Sequence, residues 1–167
     1  MTYGEMSTES FLDILAAQFA GKAMGSMTFL DIGAGMGKIV LLASLFFKQA
    51  VGVELSQTFY EQSKHALKSF SASMADAGEE SQGAAVIVHG DMFDFDWSVA
   101  DVIYACTTCF GDSMRKRVAR KAARELRPGS MILSVTRPLV HESLDRVAII
   151  DCRFSWGRDR VFIFAVR

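Results

Sequence analysis

Apolar residues recur along this chain with two different periods, and the period switches several times. Residues 7–20 carry Phe11, Leu12, Leu15, Ala16 and Phe19 at helical spacing, which predicts a helix capped by Ser7 or Thr8. Residues 27–32 form a short apolar run and predict a buried strand, and 38–47 predict a largely buried helix. A second strand is predicted over 50–54, a long helix capped by Ser56 over 56–77, and a polar loop over 78–83. Strands follow at 85–89 and 101–105, then a basic helix over 112–126 that Arg127-Pro128-Gly129 ends. The last elements are a strand over 130–136 and two strands, 146–154 and 160–166, that suit an antiparallel hairpin. Strand–helix alternation of this kind predicts an α/β, Rossmann-like sheet of seven strands. It is mostly parallel with a C-terminal antiparallel pair and helices on both faces. No linker or repeat interrupts it, so residues 1–167 are expected to form a single domain.

The junction of the first strand with the next helix carries the chemistry. Phe29-Leu30-Asp31-Ile32 runs into Gly33-Ala34-Gly35-Met36-Gly37, and the second strand, Val51-Gly52-Val53, closes on Glu54. A P-loop is excluded, because Ile32 stands where its first glycine belongs and Ile39 where its Ser or Thr belongs. A G-x-G-x-x-G dinucleotide loop fits less well than G-x-G-x-G, and an aspartate beside a pyrophosphate would repel it. An Asp before the glycines suits an ammonium instead. A carboxylate ending the next strand suits ribose hydroxyls. The pattern resembles the way class I methyltransferases hold S-adenosylmethionine. Ligands of such sheets lie beyond the carboxyl ends of the strands. After the third strand, Asp91 is therefore a candidate for the adenine amino group, with Met92 or Phe93 over the ring. Gly90-Asp91 is also an ordinary turn pair.

Composition narrows the picture further. Half the residues are hydrophobic and the formal net charge is −1, so the whole chain does not have the charge of a nucleic-acid binder. Cys106, Cys109 and Cys152 are too few for a disulfide framework and point to a reducing, intracellular compartment. Cys106-x-x-Cys109 has half-zinc or redox spacing, but no second Cys/His pair accompanies it, so no metal is expected. Acidic residues Glu5, Glu9 and Asp13 argue against a signal peptide, and no apolar run reaches membrane-spanning length.

Further residues extend the resemblance over nearly the whole chain. Tyr3-Gly4-Glu5 and Ser10-Phe11 precede the glycine loop. His89-Gly90-Asp91-Met92-Phe93 is followed by Trp97, and Asp101-Val102-Ile103-Tyr104 leads to Cys109-Phe110-Gly111. Phe154-Ser155-Trp156 precedes the last strand. In this order they resemble the catalytic core of the disruptor-of-telomeric-silencing (Dot) type of non-SET histone lysine methyltransferases. The resemblance implies S-adenosyl-L-methionine as cofactor, S-adenosyl-L-homocysteine as product, and a protein lysine as acceptor, with histone or nucleosome as partner and a nuclear location. It implies that Tyr3 and Glu5 cover the methionine end of a cofactor held by Asp31, Gly33, Gly35, Gly37, Glu54, Asp91 and Met92. It also implies that Thr107, Phe110 and Trp156 shape a lysine channel.

The chain departs from that family's pattern in places. Cys106 and Thr107 replace two asparagines, Lys38 replaces a glutamine, and Ile163 stands near an expected tyrosine. The family's helical lobe and basic extension have no counterpart in these residues. A small-molecule or non-histone methyltransferase, or an inactive cofactor-binding subunit, therefore remains an alternative. On the basic helix, Val118, Ala119, Ala122 and Leu126 form the predicted buried stripe. Arg115, Lys116, Arg120 and Lys121 are candidates for nucleic-acid contact, against the plainer reading of a solvated face.

Overall fold

A computed structural model describes residues 4–78 and 83–167, in two compact units. Tyr3 and most of the predicted 78–83 loop lie outside the described residues. One unit contains the residues up to Ala20 together with Asp96–Arg167; the other is Gly21–Phe95.

The first unit opens with α1 (Thr8–Phe19), whose start is capped by the Ser7 hydroxyl accepting from the Ser10 amide. Its buried face is Phe11, Ile14, Leu15 and Phe19. Leu12 and Ala16, expected on that face, are exposed, and Ile14 takes their place. Three-residue and four-residue steps from Phe11 reach Ile14 and Leu15, whereas Leu12 sits a full 100° round the helix.

In the Gly21–Phe95 unit, β1 (Thr28–Ile32) is followed by α2 (Lys38–Ser44), β2 (Gln49–Glu54), α3 (Gln57–Asp76) and β3 (Ala84–His89). The pairings β1–β2 and β2–β3 are parallel and place Asp31 opposite Gly52 and Glu54 opposite His89. The carboxyl ends of β1, β2 and β3 thus lie side by side. Helix α2 stops three residues before its predicted end. Phe46 and Phe47 turn back on the Ala43 carbonyl, and the Phe47 ring packs 5.2 Å from Phe29. Burying that aromatic pair stabilises more than another helical turn would.

The first unit continues with a short 3-10 turn at Trp97–Val99, β4 (Val102–Cys106), α4 (Asp112–Glu125), β5 (Met131–Val135), β6 (Leu144–Phe154) and β7 (Gly157–Val166). Here β4–β5 is parallel and β5–β7 and β6–β7 are antiparallel. The strand order is β3-β2-β1-β4-β5-β7-β6, seven strands in a mixed sheet. The predicted hairpin is tighter than its sequence suggested: Phe154 pairs with Gly157, leaving Ser155-Trp156 as the two-residue turn. Gly157, at φ +125°, supplies the backbone conformation that such a short turn demands.

Candidate active site

In the Gly21–Phe95 unit, five of the predicted cofactor residues come together. Gly33, Gly35 and Gly37 all adopt positive φ (+88°, +55° and +85°), so the loop reverses in a conformation that side-chain-bearing residues avoid. The amides of Gly33 and Ala34 both donate to the Val53 carbonyl, at 2.8 and 3.0 Å. Glu54 finishes the clamp: one carboxylate oxygen accepts from the Gly35 amide at 2.7 Å and the other from the Ser56 amide at 2.8 Å. Each of these oxygens retains a lone pair for a hydroxyl.

Asp31 is 3% exposed, and its Oδ1 has no hydrogen-bond partner among the described residues. Burial, with the Glu54 carboxylate adding to it, pushes the Asp31 carboxyl up to about 8. A buried carboxylate without a partner is costly, and a cation placed on it removes that cost. At the end of β3 the Gly90 amide donates to the Glu54 carbonyl at 3.0 Å, which brings Asp91 beside β2. Asp91 Oδ1 accepts from the Phe93 amide at 2.8 Å, so half of this carboxylate is used in the turn. Met92 and Phe93 are half-buried.

The first unit holds the other candidates. The Ser155 amide donates to the Glu5 carbonyl at 2.8 Å, and the Glu5 amide donates to the Ser155 hydroxyl at 3.0 Å. Met6 bridges Phe154, and the Ser7 amide bonds the Arg153 carbonyl. The segment from Gly4 therefore runs along the end of β6. It comes so close that a Cβ on Gly4 would lie 2.3 Å from the Trp156 ring. Trp156 is 40% exposed, and its ring stacks on Phe154 at 4.5 Å.

Phe110 is half-buried on the loop after β4, and its carbonyl is held by Arg115 Nη1 at 2.6 Å. Thr107 differs from its expected place on a channel wall. It is fully buried, and its hydroxyl donates to the Val135 carbonyl at 2.5 Å. A threonine at a strand end, with no asparagine amide to reach outward, satisfies its hydroxyl inside the fold. Two of the four cations expected to meet nucleic acid are also committed. Lys121 is buried, paired with Glu125 at 2.7 Å and set over the Trp97 ring at 5.2 Å, while Arg115 pairs with Asp112 besides holding Phe110. Lys116 and Arg120 remain exposed.

The sequence reading missed Asp159, Thr136 and the role of Arg115. Thr136 and Asp159 lie 23 residues apart with no motif between them. Only the Gly4 contact had a signal, since a glycine next to a family-specific tyrosine suggests close approach.

The family model described as "Histone methylation protein DOT1" matches residues 1–151. The chain belongs to the DOT1 family. No curated protein matches it. Its fold is shared with an RNA methyltransferase from Salinibacter ruber, solved with S-adenosyl-L-homocysteine. That structure has a TM-score of 0.69 at 19% identity, over 95% of this chain and 89% of that one. The magnesium protoporphyrin IX methyltransferase ChlM of Synechocystis, solved with bound cofactor, aligns with a TM-score of 0.71 at 8% identity, over 96% and 79%. The N-methyltransferase NodS of Bradyrhizobium japonicum aligns at 0.69 and 12%, over 95% and 86%. Family and fold together make this DOT1 member a class I, S-adenosylmethionine-dependent methyltransferase. The paired Asp31 and Glu54 carboxylates at the strand ends fit a ligand with one ammonium and a ribose. No helix among the described residues is long and apolar enough to cross a membrane.

Proposed function

We propose that this DOT1-family chain methylates a lysine amine of a protein, with a histone in the nucleosome as the substrate. The observation that carries the reading is the meeting of two segments specific to the family resemblance, Gly4-Glu5 and Ser155-Trp156, in one hydrogen-bonded contact. On this reading the protein acts in the nucleus.

Bound in the cradle, S-adenosylmethionine supplies an electrophilic methyl on a sulfonium. Asp31 would neutralise the ammonium of its methionine end. Glu54 would accept from the ribose, Asp91 would accept from the adenine amino group, and Met92 would cover the ring. The backbone of Gly33, Gly35 and Gly37 would make room for the close approach. Phe110 and Trp156 wall the acceptor side, and Thr107 holds the loop that carries Phe110. Aromatic walls disfavour an ammonium and favour the neutral amine that attacks, so alignment and desolvation carry the rate. Asp159 is a poor base. Although burial raises its pKa, hydrogen bonds from the Thr136 hydroxyl and the Arg160 amide hold it below the usual carboxylate range, and the amine proton goes to solvent.

The test is transfer of radiolabelled methyl to nucleosomes, free histones and whole-cell lysate. Label on a histone lysine is expected. Label confined to another lysate component overturns the histone assignment and leaves the methyltransferase. Cofactor binding without label on any acceptor favours an inactive module. One observation favours a different acceptor: Phe162, Ile163 and Phe164 are all buried, so β7 brings no hydroxyl to the place where the family resemblance expects a tyrosine. Gly35→Arg is expected to abolish cofactor binding in calorimetry, and Trp156→Ala to lower turnover more than cofactor affinity.

A further inference from the structure

We propose that the outer face of α4 binds the phosphate backbone of duplex DNA and so seats a nucleosome against the acceptor loop. The proposal rests on the reading of a nucleosomal histone as the substrate.

Charge is distributed unevenly along this chain. Helix α4 carries six lysines and arginines against two acids, while the whole chain has a formal net charge of −1, so the rest of it is net acidic. Both acids of the helix are taken. Asp112 pairs with Arg115, and Glu125 pairs with Lys121 at 2.7 Å and with Arg124 at 2.6 Å. From Lys116 to the end of the helix every exposed residue is a cation: Lys116, Arg117, Arg120 and Arg124. A solvated helix face intersperses the two signs, and this one does not.

Spacing makes the arrangement costly. Lys116, Arg120 and Arg124 stand one turn apart in a row, and Arg117 lies three residues before Arg120. Like charges at these spacings repel and weaken a helix. Neither Lys116 nor Arg120 pairs with an acid among the described residues. A face that served only solvation would gain from a glutamate in this row. A polyanion lying along it relieves the repulsion instead. From Lys116 to Arg124 the row spans about 12 Å, at 1.5 Å per residue.

The chemistry of the face selects the polyanion. Val118, Ala119, Ala122 and Leu126 are buried in the fold, so α4 has no apolar stripe left for a lipid surface. Its exposed cations include no aromatic side chain on which unpaired bases could stack, which favours a duplex over a single strand. Lysine and arginine both bond phosphate oxygens without regard to sequence. The helix also starts beside the acceptor loop: Phe110 stands two residues before Asp112, and Arg115 Nη1 holds the Phe110 carbonyl at 2.6 Å. DNA held along α4 thus lies within one helix length, about 20 Å, of the loop that carries Phe110.

The test is binding of the full chain to a fluorescently labelled DNA duplex, followed by anisotropy over a range of salt concentrations, with an RNA duplex and nucleosomes alongside. In Lys116→Gln with Arg120→Gln, affinity for DNA is expected to fall about tenfold or more at low salt. The slope of log affinity against log salt is expected to flatten by about 1.8, two phosphate contacts at about 0.9 each. The melting temperature is expected to hold or rise, because repulsion is relieved. Lys64→Gln with Lys68→Gln removes the same charge from exposed positions of α3 and is expected to leave the slope unchanged. On nucleosomes, the α4 variant is expected to raise KM and leave kcat unchanged. An unchanged slope in the α4 variant overturns the proposal, as does an equal fall in the α3 variant. So does a melting temperature several degrees lower in the α4 variant, which would show that these cations serve the fold. Tighter binding to the RNA duplex overturns the choice of DNA. Binding of nucleosomes without free DNA assigns the face to an acidic protein surface and overturns it too. If the wild-type chain labels no histone lysine, the acceptor reading fails separately, and the DNA titration alone decides whether α4 holds DNA.

Discussion

Asp31 keeps its proton to about pH 8 because burial and the Glu54 carboxylate both disfavour the anion. The folded chain therefore binds this proton more tightly than the unfolded chain, whose carboxyl titrates near 3.8. The resulting stabilisation is complete below that value and is lost as pH rises towards 8. Without cofactor, thermal stability is expected to fall between pH 5 and 8 by up to about 1.4 kcal/mol per pH unit. Asp31→Asn is expected to flatten this slope; an unchanged slope would show that another group titrates. A cationic ammonium reverses the preference of Asp31, so cofactor binding below pH 8 is expected to release a proton, which calorimetry in buffers of different ionisation enthalpy counts. Glu54→Gln is expected to cost about 1–3 kcal/mol, because its amide NH2 would face the Gly35 or Ser56 N–H and leave a buried donor unpaired. Cofactor affinity should fall with it, by about tenfold or more. Asp31 and Glu54 were legible in the sequence, because Asp31 stands just before the glycine loop and Glu54 closes the second apolar strand. Thr136 was not: a left-handed threonine has no sequence signature, and its partner Asp159 lies in another strand.

Among the elements, α4 shows how far periodicity reaches. The buried stripe of Val118, Ala119, Ala122 and Leu126 followed from spacing alone and is buried. Lys121 was misread as an exposed cation. Its aliphatic stem lies along the apolar border, and its ammonium finds Glu125 one turn on. Breaking a buried pair leaves a charge uncompensated, so Lys121→Ala is expected to destabilise the fold by more than 1 kcal/mol in denaturant unfolding. The double variant Lys116→Ala with Arg120→Ala is expected to leave stability within about 0.5 kcal/mol. If α4 meets nucleosomal DNA, this variant will lower the salt dependence of nucleosome binding by one to two phosphate contacts. An unchanged salt slope would leave the exposed cations as a solvated face.

For the molecule as a whole, the cofactor cradle belongs to one compact unit, Gly21–Phe95, and the Trp156 contact to the other. Addition of S-adenosyl-L-homocysteine is therefore expected to slow amide hydrogen exchange first around residues 33–37, 54–56 and 90–93. Protection of the Ser155-Trp156 turn alone would contradict the placement of the cofactor.

The sequence by itself determined the seven strands, the four helices within a few residues, the glycine loop and its two carboxylates, and the DOT1 resemblance. These depend on local periods and on residues that a strand end brings together directly. Only the tertiary structure decided that Thr107 is internal, that Lys121 and Arg115 serve the fold, that Gly4 lies against Trp156, and that the Thr136 hydroxyl donates to Asp159. Those contacts join residues far apart in the chain, and their energies come from burial and hydrogen-bond geometry that exist only once the chain has closed.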